Sequence, residues 1–183
     1  MFSSFILKYL LDWKIVGEFP DMKKSIVIFA PHTSYYDALF GKLYCNSIGI
    51  KHTFLSKKEL FYFPMNIFLK WYGSIPVRGV IGSNAVYQVT RMLEKAQTLH
   101  IILSPEGAFA KVTKWNKGFY YMANKANVPI VVGYIDYKKK EIGIKGVIDE
   151  HENIKTVMAQ IYTMYKDVTA KYPENFSLET NRS

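Results

Sequence analysis

Ser25-Ile26-Val27-Ile28-Phe29-Ala30 leads directly into Pro31-His32-Thr33-Ser34-Tyr35-Tyr36-Asp37. Six residues this apolar and β-branched, closed by a proline, are too few for a core helix and read as a buried strand. Ser34 then marks a helix N-cap. Asp37 falls at the third helical position of a Ser-x-x-Asp box, where its carboxylate faces the free backbone N–H groups and the positive end of the helix dipole. A buried strand followed at once by a capped helix is the unit from which parallel sheets are assembled.

Further short apolar runs at His52–Ser56, Gly73–Val77, His100–Leu103 and Ile130–Ile135 predict four more buried strands. The clearest helix between them is Asn84–Gln97, with Ala85, Val89, Met92, Leu93 and Ala96 on one face. A C-terminal helix carries Ile154, Val157, Met158, Ile161, Tyr165 and Val168. Trp13–Phe19 and Glu141–Ile148 are expected to add edge strands. The alternation predicts an α/β fold with a largely parallel central sheet flanked by helices. No repeat, low-complexity tract or Pro/Gly/Ser-rich linker divides the chain, so residues 1–183 are expected to form a single domain.

Hydrophobic residues make up 49% of the chain and aromatics 16%, which excludes disorder and leaves more aromatic surface than a minimal core requires. Lys and Arg number 24 against 15 Asp and Glu, and the resulting charge of +9 favours an anionic partner. Charge alone does not choose among phospholipid headgroups, nucleic acid and a phosphate-bearing substrate. Nucleic acid is not expected, because no recognised motif is present and cations do not alternate with aromatics. The single cysteine, Cys45, allows no internal disulfide, fits a reducing compartment and reads as a small buried hydrophobe. No apolar run approaches the ~20 residues needed to span a bilayer, and the first residues lack the features of a signal peptide. The expected location is therefore cytoplasmic and peripheral, on the membrane surface.

Two segments bear on that surface. Met1–Trp13 places Phe2, Phe5, Ile6, Tyr9, Leu10 and Trp13 on one helical face, which suits either a membrane interface or a helix capping the core. The stretch from Lys57 through Tyr72 is basic and then aromatic, and has the same pair of readings: headgroup anchor and acyl-chain groove, or aromatic core helix. Lys138-Lys139-Lys140 reads as a solvated hairpin turn.

Open α/β sheets bind ligands at the carboxyl ends of their strands. Three of the predicted ends carry chemistry: Pro31-His32, then Arg78, then Ser104-Pro105-Glu106-Gly107. If the chain before the helix folds back, Asp37 accepts a hydrogen bond from one His32 ring nitrogen and leaves the other free to remove a hydroxyl proton. The alternative is that Ser34 and Asp37 only cap a helix and His32 is a loop residue. Glu106-Gly107 either meets substrate hydroxyls or is a plain turn. Arg78 either clamps a phosphate or is a solvated charge.

Taken in order, these pieces resemble the glycerolipid acyltransferase family, typified by lysophosphatidic acid acyltransferases. The His-x4-Asp block is similar to His32-Thr33-Ser34-Tyr35-Tyr36-Asp37, and a Gly-x-Ile-x-Val-x-Arg block or a close variant of it to Gly73-Ser74-Ile75-Pro76-Val77-Arg78. A Pro-Glu-Gly-Thr-Arg block resembles Pro105-Glu106-Gly107-Ala108-Phe109, and Val-Pro-Ile-Val-Pro resembles Val128-Pro129-Ile130-Val131-Val132. The resemblance implies that His32 is the general base, that Asp37 orients it, and that Arg78, Glu106 and Gly107 bind a glycerol-phosphate acceptor. It implies acyl-CoA or acyl-carrier protein as the donor, with no metal, no cofactor and no covalent acyl-enzyme. The chain departs from the pattern where Ala108-Phe109 replaces Thr-Arg; Lys111 or Lys114 is left to supply the missing charge without arginine's planar fork. A non-catalytic peripheral protein that binds lipid or acyl-CoA on the same fold is the alternative. Acceptor, chain length, donor and oligomeric state are left open.

Overall fold

Seven strands form one sheet among the residues described by the structure, a computed structural model: 2–77, 83–149 and 153–178. In chain order they are β1 (Lys14–Val16), β2 (Lys24–Ala30), β3 (His52–Lys57), β4 (Ser74–Val77), β5 (Leu99–Leu103), β6 (Ile130–Asp136) and β7 (Glu141–Ile148). The helices are α1 (Phe2–Phe5), α2 (Tyr35–Ile48), α3 (Met65–Tyr72), α4 (Ser83–Lys95), α5 (Gly118–Ala126) and α6 (Ile154–Tyr165). The spatial order is β1-β7-β6-β2-β5-β3-β4, and every neighbouring pair is parallel except the β6–β7 hairpin. This is the α/β architecture that the strand and helix pattern predicts.

The two-residue period of β2 divides the core. Ile26, Ile28 and Ala30 pack on one side with Val89 and Leu93 of α4, Phe119 and Met122 of α5, and Ile161 and Tyr165 of α6. Val27 and Phe29 point the other way, to Leu7, Trp13 and the Phe40, Tyr44 and Cys45 side chains of α2. Because helices cover both faces, β5 and β6 are buried along their whole length, as central parallel strands are. The buried faces expected of Asn84–Gln97 and of the C-terminal helix are those that reach the core.

One expectation is corrected and two pairs of readings are narrowed. Glu141–Ile148 is not an edge strand: the three-residue β1 lies along its outer side, so the edges are β1 and β4. Gly143 makes that approach feasible, since a Cβ there would meet the Val16 carbonyl oxygen at 1.7 Å. The N-terminal face also divides. After α1 the chain takes a π-helical turn over Ile6–Leu10, which shifts the register; Leu7 and Trp13 enter the core while Phe2, Phe5, Tyr9 and Leu10 stay exposed. Finally, α3 is not a core helix. Its only buried residue is Tyr72, and Phe63, Ile67, Phe68 and Trp71 face outward.

Candidate active site

Because β2, β3, β4, β5 and β6 run in one direction, their carboxyl ends share one edge of the sheet, with β2 between β5 and β6. His32 follows β2, Ser104 to Gly107 follow β5, and Tyr137 follows β6. Arg78, expected to follow β4 into the site, lies outside the described residues.

Ser34 caps α2 in a full capping box. Its Oγ accepts from the Tyr36 N–H at 3.2 Å, and Asp37 Oδ2 accepts from the N–H groups of Ser34 at 2.7 Å and Thr33 at 2.6 Å. His32 Nδ1 stands 3.9 Å from the same oxygen, within ion-pair reach but beyond a hydrogen bond. The expected direct His32–Asp37 hydrogen bond is therefore not made, because two backbone donors already occupy Oδ2. The other carboxylate oxygen, Oδ1, accepts from the Tyr137 hydroxyl at 2.5 Å.

Glu106 takes a position that its sequence context did not reveal. Only 4% exposed, it turns inward and its Oε2 accepts the His32 backbone N–H at 2.6 Å, pinning the loop that carries the imidazole to the loop after β5. Burial pushes its carboxyl up to about 8, opposed by the bonds from His32 and Ser104. Gly107 adopts φ +67°, and a Cβ there would collide with Asn116 Nδ2 at 2.6 Å, so glycine serves both the turn and the close packing behind it. Lys111 is exposed and lines neither of the cavities described next.

His32 sits where two cavities meet. The inner one, about 100 Å³, runs between α2 and the sheet past Phe29, Gly41, Cys45, Phe54 and Tyr72. The outer one, about 330 Å³, opens past Tyr35, Lys57, Leu60, Gly107, Ala108 and Phe109. Ser56, Ser104 and His32 line both. Phe109 packs against the imidazole with ring centroids 4.7 Å apart and against Tyr35 at 4.5 Å, so an aromatic wall stands over the base. This enclosure lowers the His32 pKa from 6.5 to about 4, which keeps the ring neutral at physiological pH. Asp37 is pushed up by burial and drawn back by Tyr137, Ser34, Thr33 and the nearby Lys171. A neutral imidazole backed by a carboxylate, facing a polar notch between two largely apolar cavities, is equipped to take a proton from a hydroxyl.

Comparison with known proteins bears on this geometry. The family model for acyltransferases matches residues 14–135, two thirds of the chain and all of the elements from β1 through most of β6. The chain belongs to the acyltransferase family. Among solved structures the acyltransferase fold is similar to the crystal structure of the 1-acyl-sn-glycerophosphate (LPA) acyltransferase PlsC from Thermotoga maritima, with a TM-score of 0.57 and 17% identity. The match covers 91% of this chain and 73% of that one. No curated protein sequence matches. At the candidate site of this acyltransferase, Tyr137 and Gly41 are among the residues that the sequence motifs did not single out. Tyr137 could have been found by the rule that picked His32, since it too follows the carboxyl end of a buried strand.

Proposed function

We propose that this acyltransferase moves a fatty acyl group from an acyl thioester, acyl-CoA or acyl-carrier protein, to the hydroxyl of a lysophospholipid or glycerol-phosphate-type acceptor at a membrane surface. The observation that carries this reading is the junction at His32: a neutral imidazole, 3.9 Å from a buried carboxylate, lines both a narrow apolar cavity and a wider outer one. The narrow cavity suits an acyl chain, and the wider one brings an acceptor hydroxyl to the base.

His32 Nε2 removes the hydroxyl proton as the acceptor oxygen attacks the thioester carbonyl. Asp37 stabilises the imidazolium that forms, and collapse of the tetrahedral intermediate expels the thiolate, which takes the proton back from His32. Every proton returns and the protein carries no acyl group. With Phe109 over the base and Lys57 as the cation of the outer cavity among the described residues, the acceptor headgroup is not fixed by an arginine fork at position 109.

The test is acyl transfer from a panel of acyl-CoAs to lysophosphatidic acid, glycerol-3-phosphate and neutral lysolipids. Turnover by the parent and its loss by at least about 100-fold in His32→Ala is expected, since general-base catalysis contributes on that order. Retained turnover in His32→Ala sinks the assignment of the base. Bound acyl-CoA without turnover across the panel favours a lipid-binding protein instead.

A further inference from the structure

Asp37 is held on three sides, and two of them are backbone of its own loop. The third is the Tyr137 hydroxyl, 100 residues away in sequence, which donates to Oδ1 at 2.5 Å from the turn after β6. Tyr137 is itself held: its N–H donates to the Thr169 carbonyl at 2.9 Å, and its ring packs edge-on to Trp13 at 5.1 Å. The segment after α6 closes behind it. Lys171 Nζ lies 3.3 Å from the centroid of Tyr36 and 5.9 Å from that of Tyr137, and the Tyr172 N–H donates to Thr33 Oγ1 at 3.3 Å. Residues 137 and 169–172 all fall beyond the stretch matched by the family model, 14–135, so nothing in that match gives them a role.

We infer that Tyr137 is a positioning residue for the His32–Asp37 pair, holding the Asp37 carboxylate so that Oδ2 faces Nδ1 when the imidazolium forms. This rests on His32 being the base. With Oδ2 filled by Thr33 and Ser34, the carboxylate can still rotate about its last torsion until a donor fixes Oδ1, and Tyr137 is that donor. The charged and titratable groups around it are His32 on its own loop, Glu106 after β5, Tyr137 after β6, and Lys171 after α6. Of these, Tyr137 is the group that hydrogen-bonds the carboxylate through a side chain. Its hydroxyl pKa is itself driven upward by burial and by Asp37, so it stays protonated and remains a donor.

The test is a double-mutant cycle on the full chain with Tyr137→Phe, Asp37→Asn and the pair. If Tyr137 acts through Asp37, Tyr137→Phe lowers kcat by roughly 10-fold or more with KM unchanged, the loss of one hydrogen bond to a charged group. In the Asp37→Asn background the same change then costs little, whereas multiplying losses or a raised KM with unchanged kcat overturn the inference. Carbon-13 titration of the Asp37 carboxyl in the resting protein reads the same contact without turnover. Its midpoint moves to higher pH in Tyr137→Phe, and an unmoved midpoint overturns the inference. A silent parent enzyme with a shifted midpoint refutes the proposed reaction while leaving the contact standing.

Discussion

His32 and Glu106 share a hydrogen bond and are driven in opposite directions by the same burial. The His32 pKa falls from 6.5 to about 4, so the stability that it contributes is present above 6.5 and lost as pH falls through 4. Glu106 rises from 4.5 to about 8, so its contribution is present below 4.5 and lost as pH rises through 8. Between about pH 4.5 and 6.5 the two slopes offset each other; above 6.5 only that of Glu106 remains, at up to about 1.4 kcal/mol per pH unit. Glu106→Gln keeps an oxygen for the His32 N–H but has nothing to ionise. Urea unfolding at pH 6.5, 7 and 8 is therefore expected to show stability falling with pH in the parent and holding nearly level in Glu106→Gln. Parallel curves would mean that Glu106 is ionised in the folded protein throughout this range. The same residue shows how sequence can name a group and miss what it holds. Pro-Glu-Gly identifies a turn at a strand end, but an inward carboxyl group gripping another loop's backbone is a long-range contact that no local pattern encodes.

At the scale of one element, α2 carries both the cap that holds Asp37 and the wall of the inner cavity. Gly41 lies in mid-helix, is buried, and has nothing within 4 Å of where a Cβ would stand, so its missing side chain is part of that cavity. Gly41→Ala is expected to stabilise the protein by roughly 0.5–1 kcal/mol through helix propensity, with no clash to offset it. Gly41→Leu fills the cavity and is expected to shift donor preference toward shorter acyl chains while short-chain turnover persists. Thermal unfolding checks the first, and relative kcat/KM across acyl-CoA lengths the second; an unchanged length preference in Gly41→Leu would place the acyl chain elsewhere. The position of α2 was legible from Ser34, Asp37 and the strand before them because caps and buried strands are local signals. Gly41 was not, since a glycine in a helix looks the same whether it faces a neighbour or a void. The edge position assigned to β7 failed for a related reason: alternation reports two faces of a strand, not which neighbour pairs with its rim, and three residues of β1 suffice to cover it.

At the scale of the whole molecule, the two sides of the sheet differ. Of the 17 large hydrophobic side chains exposed among the described residues, 13 lie in residues 2–10, 35–39 and 60–71, in α1 and the turn after it, the start of α2, and α3 with its lead-in. All of these elements belong to the layer that packs on Val27 and Phe29, and two of the exposed side chains, Tyr35 and Leu60, line the outer cavity. Exposed Lys8, Lys57, Lys58 and Lys70 accompany them against Glu59. Among the described residues no helix is long and apolar enough to cross a bilayer. Apolar rings that enter the headgroup region while lysines meet anionic phosphates would bring the cavity mouth to the lipid. The parent is therefore expected to co-sediment with phosphatidylcholine vesicles containing phosphatidylglycerol, more weakly with phosphatidylcholine alone, and less in high salt. Each partly inserted aromatic or aliphatic side chain contributes roughly 1–2 kcal/mol, so the combined substitution Phe63→Ser, Ile67→Ser and Trp71→Ser lowers vesicle binding by about 100-fold or more. None of the three lines either cavity, so turnover of a soluble short-chain acceptor is expected to stay near the parent value. Binding that survives the triple substitution would move the membrane contact to the N-terminal face. Loss of a concentration-dependent dimer, with no vesicle binding in the parent, would make this face an interface between two copies of the chain.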